Sequence, residues 1–351
     1  MVAVGVGFIG AGRWAPVLAE AVGRARDFRI EGCCDTSLDA AQRFVAQYGG
    51  RAFESLDAML EDDSIEAVIV VTPNDRHAAA VEAAAAYRKP VFVEKPVAST
   101  SKDAQRIRKV VASSGISVSV GHCARRLKGI RRLRAMVESG ELGDVVLVEG
   151  NYSTDRAWYL PHTHWRMDRN RNRGGPLVQL GVHHIDTFQY LSGPLARVLA
   201  FSKHLCAPAE IDDVVTVLGE FASGAQCYLG SAWVTPEIFW VRVCGTKAVA
   251  TFTVDLRTWS RSAETDVHSQ LTVQQRGEDV RLVPLERGDM LAEELEEFAR
   301  VVRMGERPEV GVDEGMAVVA VIEAVLRSAS TGRVEWVEVE AVPAEERKNP
   351  G

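Results

Sequence analysis

Val2-Ala3-Val4-Gly5-Val6-Gly7-Phe8-Ile9-Gly10-Ala11-Gly12-Arg13-Trp14-Ala15 opens the chain, and its reading decides the fold. The apolar, largely β-branched run 2–9 is punctuated by glycines and reads as a buried strand. Residues 14–26 come next, with Leu18, Ala19 and Val22 at helical spacing. The turn between them is G-x-G-x-x-A, a dinucleotide fingerprint with Ala in the third place. Gly10 permits the tight turn, and Gly12 lets the backbone approach a pyrophosphate. The helix start, with Arg13 and Trp14, offers free N–H groups and a positive dipole end. Asp35 ends the next apolar run at the distance expected of a carboxylate that binds a ribose 2′-OH. A helix-capping turn is the plainer alternative for it. Thr36 and Ser37 come after Asp35 where an Arg would receive a 2′-phosphate, so the pattern favours NAD over NADP.

Working outward, strand-like runs at 28–34, 66–71, 90–93 and 116–120 alternate with helix-period segments at 38–48, 78–87 and 102–113. That alternation predicts a parallel sheet with helices on both faces. The pattern changes after about residue 123. A basic amphipathic helix at 127–137 leads to an alternating strand at 144–152 and a helical period at 177–191. Strand-like runs at 214–221, 225–233, 239–244, 249–254 and 269–274 then come without long helices between them, which predicts an open, largely antiparallel sheet. Helices at 292–304 and 314–330 close the chain. The expected fold class is α/β: an N-terminal doubly wound parallel sheet that binds a dinucleotide over 1–123, a C-terminal α/β domain with an open, largely antiparallel sheet over 124–340, and a polar tail at 341–351.

Composition narrows the function. The 351 residues are 46% hydrophobic and 25% charged, with a net charge of −7, which excludes a disordered or coiled-coil chain and argues against nucleic-acid or anionic-membrane partners. Cys33, Cys34, Cys123, Cys206, Cys227 and Cys244 form no C-x-x-C pair and read as buried free thiols of a reducing compartment. The N-terminus lacks a basic region before its apolar run, and no uncharged apolar stretch of about 18 residues occurs, so a cytoplasmic protein is expected.

Two further polar clusters end later strands, on the ligand side of an open α/β sheet. They are Thr72-Pro73-Asn74-Asp75-Arg76-His77 and Glu94-Lys95-Pro96. A lone Lys is usually a solvated charge, but here an apolar strand leads into Lys95, and Pro96 stiffens the loop after it, with a cis peptide as one option. In the second domain, Trp165-Arg166 precedes Gly174-Gly175-Pro176-Leu177 and the run to Asp186, where Gln179, His183 and Asp186 fall on one helical face. His183 and His184 point about 100° apart, so one of them faces a given site. A metal site would draw on His162, His164, His183 and His184. No cysteine or carboxylate spacing matches them, so no metal is expected.

In order, Gly10-x-Gly12, Asp35, Thr72-Pro73-Asn74 with His77, Glu94-Lys95-Pro96, Gly121-His122 with Arg125, and Gly174-Gly175-x-Leu177 running to Gly181-x-His183-x-x-Asp186 resemble the Gfo/Idh/MocA family over about residues 3–335. The resemblance implies a Rossmann domain and an open-sheet domain that commonly makes subunit contacts, hence a homo-oligomer, a dimer or tetramer. It also implies NAD(P)-dependent oxidation or reduction of a carbinol carbon in sugars, cyclitols and their derivatives. Many members carry Asp four residues before the histidine; here it is Gln179, which hydrogen-bonds a hydroxyl but takes no proton.

The expected mechanism is direct hydride transfer. His183 takes the hydroxyl proton, near its ordinary pKa of about 6.5, and Lys95 stabilises the same oxygen; a positive nicotinamide beside Lys95 disfavours its ammonium form, so the proton work falls to His183, to Lys95 or to both. Gly10, Gly12, Arg13, Trp14, Asp35, Thr72, Pro73, Asn74, His77, Glu94 and Lys95 are the expected cofactor residues. Gln179, Arg125, Tyr152, Trp165 and Arg166 are the expected substrate residues. Arg156, Arg166, Arg169, Arg171 and Arg173, with Arg125 and Arg126, suggest an anion-facing wall; a solvated loop or an oligomer contact is the alternative. A dinucleotide-binding regulator, or a non-redox sugar enzyme of glycosidase or epimerase type, remains the other functional class.

Overall fold

The computed structural model describes residues 3–338, so the expected polar tail lies outside the described residues. β1 (Val4–Ile9) is buried along its whole length, as a strand covered on both faces must be. After it come α1 (Ala15–Ala25), β2 (Phe28–Cys34), α2 (Leu38–Tyr48), β3 (Arg51–Phe53), α3 (Leu56–Leu60), β4 (Ala67–Val70), α4 (His77–Ala86), β5 (Val91–Glu94), α5 (Ser101–Ser114) and β6 (Val118–Gly121). The side chains of Ser37 and Thr100 cap α2 and α5, accepting from the N–H groups of Ala40 and Asp103. The strands are parallel, in the order β3-β2-β1-β4-β5-β6. The order reverses between β1 and β4, which opens a crevice at their carboxyl ends. This is the expected Rossmann sheet.

The second half begins with α6 (Lys128–Glu138) and β7 (Val145–Ser153). The helix expected at 177–191 is present, but its first turn, Leu177–Gly181, is wound as a wide π turn that runs straight into α7 (Val182–Ser192). Next come β8 (Leu195–Lys203), β9 (Val214–Phe221), β10 (Gln226–Ala232), β11 (Ile238–Gly245), β12 (Ala248–Thr253), α8 (Ser262–Thr265), β13 (Gln270–Gln275), β14 (Arg281–Val283), α9 (Met290–Met304), α10 (Val312–Thr331) and β15 (Glu335–Trp336). They build a nine-stranded sheet, β14-β13-β12-β11-β7-β10-β9-β8-β15, in which only β7 and β10 pair in parallel. The sheet is largely antiparallel, as expected.

α7 lies close on this sheet. Gly150 of β7 makes room for the His184 ring, which would sit 2.3 Å from a Cβ at that position. α10 ties the two halves together. Val312, Met316 and Val319 join a core under the first sheet, while Val321, Ile322 and Val325 join the core shared with the second. Among the described residues no helix is long and apolar enough to cross a membrane. Of the six free cysteines Cys206 is exposed and Cys244 half-buried, which departs from the expectation of uniformly buried thiols.

Candidate active site

The Gly-rich turn is built as a cradle. Gly10 has φ +101°, and a Cβ there would lie 3.1 Å from the Val71 carbonyl and 3.2 Å from the Thr72 nitrogen. A Cβ on Gly12 would meet nothing within 4 Å, so the backbone faces open space. No side chain caps the start of α1 and no acid lies in its first turn; Ala15 N already donates to Gly12 O at 3.0 Å and Pro16 has no N–H, so what the helix start offers phosphates is chiefly the positive end of its dipole. Asp35 accepts from Ala11 N at 2.8 Å and from Ser37 N at 2.9 Å. It fixes the turn and carries lone pairs to spare. Thr72 Oγ1 is buried with no partner, another group a bound molecule would satisfy. These residues fit a dinucleotide.

A cavity of about 420 Å³ continues from this turn between the two halves of the chain. Arg13, Trp14, Thr72, Asn74, Glu94 and Lys95 line it from the first half. The Trp14 indole donates to Glu94 Oε1 at 2.7 Å, and Lys95 N donates to the other carboxylate oxygen at 3.1 Å. The Lys95-Pro96 peptide is cis. Lys95 Nζ reaches across to donate to the main-chain carbonyl of Gln179 at 2.9 Å. Burial lowers the Lys95 pKa to about 8, with Arg166 pushing the same way against the pull of Glu94.

Tyr152, Gln179 and His183 face Lys95 from the second half. Tyr152 and Trp259 pack around the His183 ring at centroid distances of 5.7 and 5.4 Å. His183 Nδ1 is buried and unpartnered. Burial first, then the charge of Lys95, holds the His183 pKa well below 6.5. His183 is therefore held uncharged through the neutral range, while Lys95 loses its proton near 8. Arg166 Nε donates to Gln179 Oε1 at 2.7 Å, and Gln179 Nε2 donates to Asn172 Oδ1 at 3.0 Å. The amide oxygen holds the guanidinium and the amide nitrogen is tied to Asn172, with one N–H and one lone pair left over.

Several expected residues lie elsewhere. Arg125 is not in the cavity wall: its guanidinium makes two bonds to Asp186, at 2.7 and 2.8 Å, with side chains 9% and 0% exposed. Asp186 follows His183 by three residues in α7 but turns to Arg125 instead of to the cavity. Trp165 stands behind the wall, beneath the Arg166 guanidinium at 4.4 Å from its ring centroid. His77 is buried, with Nδ1 2.8 Å from Pro96 O and Nε2 3.1 Å from Thr72 O. It staples the two strand-end loops behind the cavity edge, while Pro73 starts the short turn that carries Asn74. His184 turns away to Trp240 O at 2.9 Å. Arg171 pairs with Asp75 outside the cavity, and Arg169 and Arg173 are exposed.

Glu237, Leu256, Arg257 and Trp259 also line the cavity. They come from loops flanking β11 and β12, and no local pattern marks them. Asn172, which orients Gln179, is equally silent in the sequence.

The N-terminal part, residues 4–122, matches the oxidoreductase family with an NAD-binding Rossmann fold, and residues 130–251 match the Gfo/Idh/MocA C-terminal domain. Inositol 2-dehydrogenase of Rhizobium meliloti strain 1021 is 30% identical over 235 residues, covering 64% of this chain and 68% of that protein. Glucose-6-phosphate 3-dehydrogenase of Bacillus subtilis strain 168 is 29% identical over 187 residues, and the match spans 53% of each chain. A solved structure from Desulfitobacterium hafniense DCB-2, presented as that of an NADPH-dependent oxidoreductase, superposes with a TM-score of 0.93 at 36% identity, over 96% of this chain and 98% of the other. Fold, cavity and sequence matches agree: the chain belongs to the Gfo/Idh/MocA family of oxidoreductases and carries its NAD(P)-binding Rossmann domain.

Proposed function

We propose that this protein is an NAD(P)-dependent dehydrogenase acting on a carbinol carbon of a sugar, cyclitol or sugar derivative, with NAD preferred. The observation that carries this reading is Lys95 and His183 facing one cavity at the carboxyl end of the Rossmann sheet. The similar Bacillus and Rhizobium dehydrogenases act on a phosphorylated sugar and on a cyclitol. Bound beside Lys95 and His183, the nicotinamide would exchange hydride with the carbinol carbon.

The chain's own residues handle the proton. Lys95, with its pKa near 8, takes the hydroxyl proton as the free amine, or holds the same oxygen as the ammonium in the reverse direction. His183, held neutral by burial, hydrogen-bonds that oxygen and orients it; no carboxylate stands at position 179 to stabilise an imidazolium. Tyr152 and Trp259 wall off the water side of the histidine ring. Asp35 takes the ribose 2′-OH. The test is steady-state reduction of NAD⁺ with a panel of aldoses, cyclitols and sugar acids, read for both reduced cofactor and sugar product. Product without reduced cofactor would move the protein to the non-redox class.

We also infer that copies of the chain associate through the open face of the nine-stranded sheet. Phe201 on β8 and Leu218 on β9 stand 65% and 53% exposed there. Sedimentation of the wild type against Leu218→Lys tests this.

A further inference from the structure

The cavity wall is strongly cationic: Arg13, Lys95, Arg156, Arg166 and Arg257 against Glu94 and Glu237. Most arginines of this chain are answered by acids. Arg171 pairs with Asp75, Arg125 with Asp186 and Arg257 with Asp255. Arg156 and Arg166 make no ion pair among the described residues, although both are half-buried. Their charges act on one another. The Arg166 pKa is lowered to about 10 by burial and then by Arg156 and Arg13, and that of Arg13 is lowered chiefly by Arg156. Half-buried guanidinia crowded in this way are costly unless something negative sits between them.

Position 179 leaves that charge in place. A carboxylate there would accept the same Arg166 Nε bond and cancel its charge. Gln179 accepts it at 2.7 Å with a neutral oxygen and is itself locked by Asn172. Arg166 is thus aimed and rigid, stacked on Trp165, yet still fully charged.

We propose that the substrate carries an oxyanion group, a carboxylate or a phosphate, held by Arg156 and Arg166 beside Lys95. This rests on the dehydrogenase reading and names the substrate class of that same cavity. Gln179 is then a specificity residue: it keeps the anion site charged while orienting it.

The experiment titrates inorganic phosphate, D-glucuronate and, as the uncharged control, D-glucose into the NADH-saturated protein by calorimetry. Seating NADH first occupies the places its own phosphates would take. At least one anion should bind in preference to glucose, phosphate pointing to a phosphorylated substrate and glucuronate to an acidic one. Arg156→Gln and Arg166→Gln should each weaken that binding roughly tenfold or more. Gln179→Glu should weaken it as well, by pairing with Arg166. Arg171→Gln, outside the cavity, should leave it unchanged and serves as the folding control. No anion binding, binding undiminished in both arginine variants, or phosphate binding only to the cofactor-free protein and displaced by NADH would overturn the proposal. Failure of both NADH and NADPH to bind would instead sink the dehydrogenase reading. Anion binding to the cofactor-free protein, lost in both variants, would then still support the site.

Discussion

Lys95 Nζ, on the strand-end loop of the Rossmann half, donates at 2.9 Å to the main-chain carbonyl of Gln179 in the wide turn of the other half. The bond spans the cavity and fixes the ammonium where substrate and nicotinamide would meet. It depends on the backbone of residue 179, not on its side chain. Lys95→Met should therefore leave cofactor affinity within a few-fold while lowering turnover by roughly 10²-fold or more, the scale of a lost acid–base or oxyanion group. Fluorescence titration with NADH and initial rates separate the two effects. Unchanged turnover would make Lys95 structural.

The pH profile assigns the base. Lys95 is the ammonium below its pKa of about 8 and the amine above it, so alcohol oxidation should rise as pH climbs through about 8. His183 is already neutral well below 6.5 and contributes no limb in that range. His183→Asn should lower turnover yet keep the limb near 8. A limb near 6.5 that disappears in His183→Asn would return the proton to the histidine.

Asp35 should set cofactor choice. Its carboxylate repels a 2′-phosphate, so NAD should bind more tightly than NADP. Asp35→Asn keeps an acceptor for Ala11 N and removes the charge, and should narrow the gap. Calorimetry with both oxidised cofactors checks this; tighter NADP binding by the wild type would refute it.

Arg125 and Asp186 form a buried two-bond pair that should matter for stability rather than for turnover chemistry. Arg125→Met leaves the Asp186 carboxylate buried and unanswered, and should cost about 3–5 kcal/mol in denaturant unfolding. A loss below about 1 kcal/mol would show that the carboxylate finds water or another partner.

Much of this fold is legible locally. β2, α2 and β9 fall on the residues that period and turn signals mark, because apolar alternation and the Ser37 cap act over a few neighbours. β3 and β14 are three residues long, too short for any period to show. β8 exposes Phe201 and turns Arg197 toward Glu220, so its apolar alternation is diluted along a strand near the sheet edge. The site divides in the same way. Gly10, Asp35, Lys95 and His183 sit where turn chemistry and strand ends put them. The true place of Arg125 is hidden because its partner lies 61 residues away. The depressed His183 pKa comes from burial by Trp259 and Tyr152 and from Lys95, all distant in sequence.

The most direct test of the central claim is absorbance at 340 nm with NAD⁺ and the panel of sugars, cyclitols and sugar acids, run beside Lys95→Met. The account predicts reduced cofactor formed in step with oxidised product, with an anionic sugar turning over fastest and the signal at least about 10²-fold weaker in the variant. Sugar consumed with no net reduced cofactor, or equal rates in wild type and variant, would contradict it.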